Sequence, residues 1–153
     1  MSNQPGSGTG SNYFGWGANF PQSVAIVFDI YQNGNDPSIP YMGIAMNGNP
    51  FALAANTGPS RAFSNGNTWY CWLDYIGSLQ TLQLRLSSTP TRPNLATIES
   101  SINLDSIIQQ PKMYLGFGGG SGGDYSVPQI YSWSFSVSEL DDSIFLLFGF
   151  KKK

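Results

Sequence analysis

Four residues carry the side chains best suited to chemistry: Asp29, Tyr31, Asn33 and Asp36, all within Ser23 to Asn47, SVAIVFDIYQNGNDPSIPYMGIAMN. Side chains of an extended strand alternate between faces, so Asp29, Tyr31 and Asn33 project the same way. Val24, Ile26, Phe28 and Ile30 form an aliphatic set on the other face. Gly34 and Asn35 supply a reversal that can fold the Asp36 carboxylate back toward its neighbours. Two carboxylates, an amide and nearby backbone carbonyls suit a hard cation such as Ca2+, which takes roughly six to eight oxygens in loosely prescribed geometry. Asp, Asn and Gly are equally ordinary loop residues, so the spacing alone leaves a cation site and a plain loop both open.

The elements that must position these residues read as strands. A chain of 153 residues suits one domain with a sizeable core. Its 10% charged and 14% aromatic residues, with 18 Gly and 10 Pro, indicate an all-β protein rich in turns. After the opening strand, loop and strand come Phe51 to Thr57, turn signals at Gly58-Pro59-Ser60 and Asn65-Gly66, and a dense strand from Asn67 to Ile76. That strand passes through Gly77-Ser78 into Leu79 to Ser87, where Leu82, Leu84 and Leu86 alternate with Thr81, Gln83 and Arg85. The period predicts a hairpin with one buried face. Leu95 to Ile108 has irregular apolar spacing with a short turn at its end. Met113 to Phe117 is expected as a strand, and Ile130 to Val137 closes the β pattern. No heptad, repeat or amphipathic helix of ordinary length is present, so short strands and turns point to a sandwich or jelly roll.

Composition also removes function classes. With no His, the chain has no imidazole for a triad or a typical zinc site. A net charge of −2, which includes three terminal lysines, argues against nucleic acid as a partner. Cys71, flanked by Trp69, Tyr70 and Trp72, reads as a buried structural thiol. Ser2 to Gly17 lacks the helix and G-K-[ST] ending of a phosphate loop. Met1 to Gly10 shows no signal peptide, and Ile144 to Phe150 is far shorter than the roughly 20 residues of a spanning helix. Glu99 and Glu139 lie in loop-like contexts and Asp74 among aromatics, which is not the paired-acid arrangement of a glycosidase, so no enzyme is expected.

Several stretches, taken in order, resemble one family. NFPQSVAIVFDIYQN and NDPSIPYMGIAMN resemble its metal-loop strands, TWYCWLDYIGSLQTLQLRLSS its central hairpin, and TRPNLATIESSINL with MYLGFGGGSGGDYSVPQIYSWSF its closing section. Together, from about Asn12 to Val137, they resemble the L-type (legume) lectins, including bacterial legume-lectin-like members. The resemblance implies a concanavalin A-like jelly-roll sandwich of antiparallel sheets, saccharide binding without chemistry, Ca2+ holding the binding loops, and a secreted or cell-surface location. It places Asp29 and Asp36 as carboxylate ligands and Asn33 as an amide ligand that also donates to sugar. Tyr31 would lend its carbonyl to the ion and its ring to the sugar. It further matches Gly10-Ser11-Asn12 and Gly122-Gly123-Asp124 to sugar loops, with Asn12, Gly123 and Asp124 as saccharide contacts.

Three departures qualify what the resemblance implies. Val27 and Tyr41 stand where the family has a Glu and a His on a transition metal, so no Mn2+ site is expected. No D-G-F-A-F-like strand precedes Ser2 to Gly17, so the sandwich is expected to be incomplete at its N-terminus, with open edges for a missing N-terminal segment or a homo-oligomer. Residues 1–137 then form a partial lectin-like domain, with 1–17 as a Gly/Ser-rich loop segment. Residues 138–153 form a divergent tail, and alternation of Ile144, Leu146 and Phe148 suggests an added strand or amphipathic segment. A membrane-anchor remnant or unselected read-through is the other reading of that tail. The expected function is a calcium-dependent lectin module for glycans or glycoproteins. The alternative is a degenerate jelly-roll structural or interaction module of a surface protein.

Overall fold

Stretches of strand-forming residues separated by turn chemistry give two antiparallel sheets in the computed structural model, which describes residues 20–31, 40–49, 54–56, 65–120, 127–140 and 143–152. The chain divides into two compact units. One holds residues 1–61 and 104–126, the other residues 62–103 and 127–153.

The first unit contains a three-stranded sheet of order β1-β2-β3, formed by β1 (Val24–Asp29), β2 (Tyr41–Met46) and β3 (Ala54–Asn56). Its register sets Asp29 opposite Tyr41, Val27 opposite Gly43 and Ala25 opposite Ala45, so these residues share one face. On that face Val27, Tyr41 and Ala45 form a buried apolar cluster. Val24 is buried on the other face, where Ile26 and Phe28 are half-buried. The strand therefore buries apolar surface on both faces, and not only on the expected aliphatic one, because Val27 meets Tyr41 and Ala45 from β2. The turn after β2 places Asn47 at φ 55° and Gly48 at φ 72°, and Asn49 N–H closes it on Met46 O at 2.9 Å. Asn and Gly are the residues that tolerate this left-handed backbone. A five-residue helix, α1 (Leu104–Ile108), also belongs to this unit and buries Leu104 and Ile108.

The second unit is a five-stranded sheet of order β6-β5-β4-β8-β7, built from β4 (Thr68–Ile76), β5 (Thr81–Ser87), β6 (Ile98–Ser101), β7 (Pro128–Ser138) and β8 (Ser143–Lys152). The expected hairpin is present: a 3₁₀ turn, Gly77–Leu79, joins β4 to β5, and Gln80 at φ 49° donates its N–H to Gly77 O. Leu82, Leu84 and Leu86 lie opposite Tyr75, Leu73 and Cys71, and all six are buried. The opposite face is not simply solvated, since Arg85 and Asp74 are buried there too. β6 is an addition to the sequence reading; its four residues carry one buried apolar side chain, Ile98, too little to register as a period. Met113 to Phe117 is not a strand. Only an isolated bridge at Tyr114 forms, and Gly116 with the glycines that follow favours irregular backbone.

The all-β class is thus observed, as two antiparallel sheets consistent with an incomplete jelly-roll sandwich. The tail carries β8, which pairs with β4 on one side and β7 on the other. Among the described residues no helix is long and apolar enough to cross a membrane.

Cys71, the one cysteine, is free and fully buried on β4. Burial first, and the Asp74 charge second, push its thiol well above the ordinary range. The native thiol is therefore expected to resist a thiol reagent such as DTNB until the chain unfolds. Its folded pKa is raised, so its contribution to stability is complete below about pH 8.5, where an unfolded thiol titrates, and falls as pH rises beyond that. Chemical denaturation of the native chain and Cys71→Ala at pH 7 and pH 9.5 would expose this loss as a difference confined to the native chain.

Candidate functional site

β1 delivers its last residue, Asp29, to the mouth of the first sheet, where the residue is 3% exposed. Its Oδ1 accepts the Tyr31 N–H at 2.9 Å, a side chain to backbone turn that Asp forms readily where a strand ends. Tyr31 itself is 66% exposed. The two residues thus offer a carboxylate at the strand end and an aromatic ring open to solvent two residues on. A carboxylate in such a turn keeps further lone pairs for another donor or a cation.

Of the candidate residues, only this pair falls within the described residues. Asn33, Asp36, Asn12, Gly123 and Asp124 lie outside them. Among the described residues no group of three or more His, Cys, Asp or Glu side chains could hold a metal ion. Asp29, Asn33, Asp36 and the Tyr31 carbonyl are all oxygen donors, a set whose chemistry fits Ca2+. Opposite Asp29 on the neighbouring strand, Tyr41 packs with Val27 and Ala45, so the face that the carboxylate shares is otherwise apolar.

A second polar cluster, which no periodicity marks, lies in the five-stranded sheet. Asp74 Oδ2 accepts from two guanidinium groups: Arg85 through Nη1, and Arg92 through Nη2 at 2.6 Å. Arg85 Nη2 also donates to Gln83 Oε1, and Gln83 Nε2 to Glu99 Oε2. Arg85 and Asp74 are buried, while the Arg92 side chain is 48% exposed at the rim of an open cleft of about 420 Å³ lined with Pro93 and Asn94. Two cations and two anions balance within the cluster. It pins the Arg92 loop to the sheet. Arg85 looks polar and solvent-facing by period alone; its place opposite Trp72 and diagonal to Asp74, whose carboxylate it reaches, accounts for its burial.

Comparison with known proteins decides the relationship. The legume lectin domain model matches residues 9–145. The chain belongs to the legume lectin domain family. As a lectin domain it is a binding module and not a catalytic one. It is 37% identical over 76 residues to the L-type lectin-domain containing receptor kinase I.7 of Arabidopsis thaliana, covering 48% of this chain and 11% of that protein. Receptor kinase VIII.1 of the same plant is 27% identical over 133 residues, 85% of this chain and 18% of the relative. Receptor kinase I.3 is 32% identical over 111 residues, 67% and 16% respectively. The matches therefore span less than a fifth of those proteins' length. These plant relatives lend no support to a specifically bacterial likeness. No solved structure matches. Within this lectin domain most of β8 falls beyond the matched residues, yet it occupies an interior position in the sheet.

Proposed function

We propose that the chain is a calcium-dependent carbohydrate-binding module, acting at the cell surface or in secretion, with Asp29, Tyr31, Asn33 and Asp36 holding the ion. The observation that carries this reading is the Asp29–Tyr31 turn, inside the region matched to the lectin family: a buried carboxylate at a strand end, tied to the backbone of an exposed tyrosine. When bound, Ca2+ would neutralise the carboxylates and hold the loop in one conformation. In this reading the chain's own residues do the recognising. The Tyr31 ring packs on a pyranose face, Asn33 donates through its amide nitrogen, and Asn12, Gly123 and Asp124 contribute contacts from two further loops. Few contacts of this kind give weak monovalent binding and modest specificity.

Glycan-array binding by the chain is expected to disappear in EDTA and to return with added Ca2+. Asp29→Ala is expected to lose binding at least tenfold while retaining the far-ultraviolet signal of a folded sheet. Full binding after complete removal of calcium would rule out this mechanism. If calorimetry detects no Ca2+ binding and no glycan binds, the degenerate structural or interaction module becomes the better reading.

A further inference from the structure

We infer that the cleft beside Arg92 is a second binding site, which takes a sugar bearing one carboxylate, a uronic acid, through the arginine fork. All of its residues belong to the second unit, and it does not depend on the calcium reading. Arg92 has five N–H donors, and its acceptor among the described residues is Asp74 Oδ2 alone. The rest of that guanidinium is free for a ligand at the rim of the cleft. Arg85 lines the same cleft and is buried. Its Nη1 reaches Asp74 and its Nη2 reaches Gln83, but its buried Nε–H has no acceptor among the described residues. A buried donor left unmade is costly, so an acceptor supplied from the cleft is favoured.

Charge and size narrow the ligand. Glu99 joins the cluster only through Gln83, so at the cleft itself two guanidiniums share one carboxylate, through a single oxygen. One positive charge is left in excess there, which matches a monoanion. Among the described residues no further cation lines the cleft, and this disfavours a dianion such as sulfate. A carboxylate meets the planar fork of an arginine in two parallel hydrogen bonds. The cleft, about 420 Å³, falls within the roughly 300–1,000 Å³ of small-molecule sites and is far larger than a bare ion needs. The occupant therefore carries a neutral body beyond its carboxylate. Pro93 gives that body an apolar wall, and the Asn94 amide offers a donor and an acceptor to its hydroxyls.

The test titrates the 153-residue chain with D-glucuronate, D-glucose and inorganic sulfate, read from the amide NMR shifts around Asn94. Glucuronate is expected to bind with a dissociation constant on the order of 1 mM, and severalfold more weakly when NaCl is raised to about 0.5 M. Glucose and sulfate are each expected to bind at least tenfold more weakly than glucuronate. Arg92→Ala is expected to lose glucuronate at least tenfold and Asn94→Ala severalfold, with the amide spectrum of the sheet retained in both. Binding is expected to survive EDTA, which keeps its failure distinct from that of the calcium site. No shift with glucuronate, glucose or sulfate binding as tightly, an Arg92→Ala chain that binds like the parent, or loss in EDTA would each overturn the inference.

Discussion

Removing Ser143–Lys153 is expected to leave a product that is insoluble or melts without a cooperative transition. The segment is β8, and its register runs from Ile144 opposite Tyr75 to Lys151 opposite Thr68 on one side, and from Ser143 opposite Ser138 to Lys152 opposite Pro128 on the other. Without it, β4 loses a whole ladder of backbone hydrogen bonds and β7 loses its place in the sheet. Each backbone group left dry costs about 1–3 kcal/mol, against a total stability of only about 5–15 kcal/mol. Gly149 sharpens the test without truncation. A Cβ there would meet Ser132 Oγ and the Tyr70 ring at 3.8 Å, which is ordinary contact, so Gly149→Ala should be neutral or slightly stabilising. Gly149→Pro removes an N–H from an interior strand and should be as damaging as the deletion. Thermal melts of the two variants separate a structural strand from a dispensable tail. Equal melting of both variants and the parent would support the read-through view.

Asp74→Ala is expected to destabilise the second unit by about 3–5 kcal/mol, lowering Tm by roughly 10 °C. Asp74 accepts from Arg85 and Arg92 on one oxygen, and the substitution leaves the buried Arg85 guanidinium without its carboxylate. The loss of a partner to a buried charge, more than the loss of attraction itself, makes the effect large. Arg92→Ala is expected to cost about 1 kcal/mol or less, because that side chain is half exposed and water replaces much of what is lost. The two changes should also be non-additive, since each removes part of one network. Urea denaturation of the two single variants and the double variant measures both statements. Equal losses for Asp74→Ala and Arg92→Ala would show that burial of Arg85 is not the controlling term.

The hairpin of β4 and β5 was legible because Leu82, Leu84 and Leu86 alternate without interruption, and alternation is the direct imprint of the pleat. β6 was not, since one apolar residue in four sets no period and its existence depends on pairing with β5. Met113 to Phe117 had strand-like composition but no ladder to join, which shows how far strand propensity depends on a neighbour. Arg85 illustrates the same limit for charge. Alternation marks its face correctly, but the partner that makes burial tolerable, Asp74, comes from another strand. At the candidate site, alternation carries the strand on through Tyr31 and Asn33, whereas β1 ends at Asp29 and Tyr31 follows in a bend. The hydrogen bond between Asp29 and Tyr31 was not legible, because a turn closed by a side chain leaves no periodic trace. β8 was visible only as an alternating apolar run, since nothing within it specifies that β4 and β7 flank it.

The position of β8 also orders events on the ribosome. β4 can pair with β5, its close neighbour in sequence, as soon as both are made, whereas its other edge waits for a strand that follows β5, β6, α1 and β7. Throughout that interval β4 presents Trp69, Cys71 and Leu73 beside an unfilled ladder to the crowded surroundings of a nascent chain. The yield of folded protein should therefore respond to how quickly the last strand is delivered. Slowing translation between the codons for Ser138 and Ser143 would lengthen the exposure without altering a single residue.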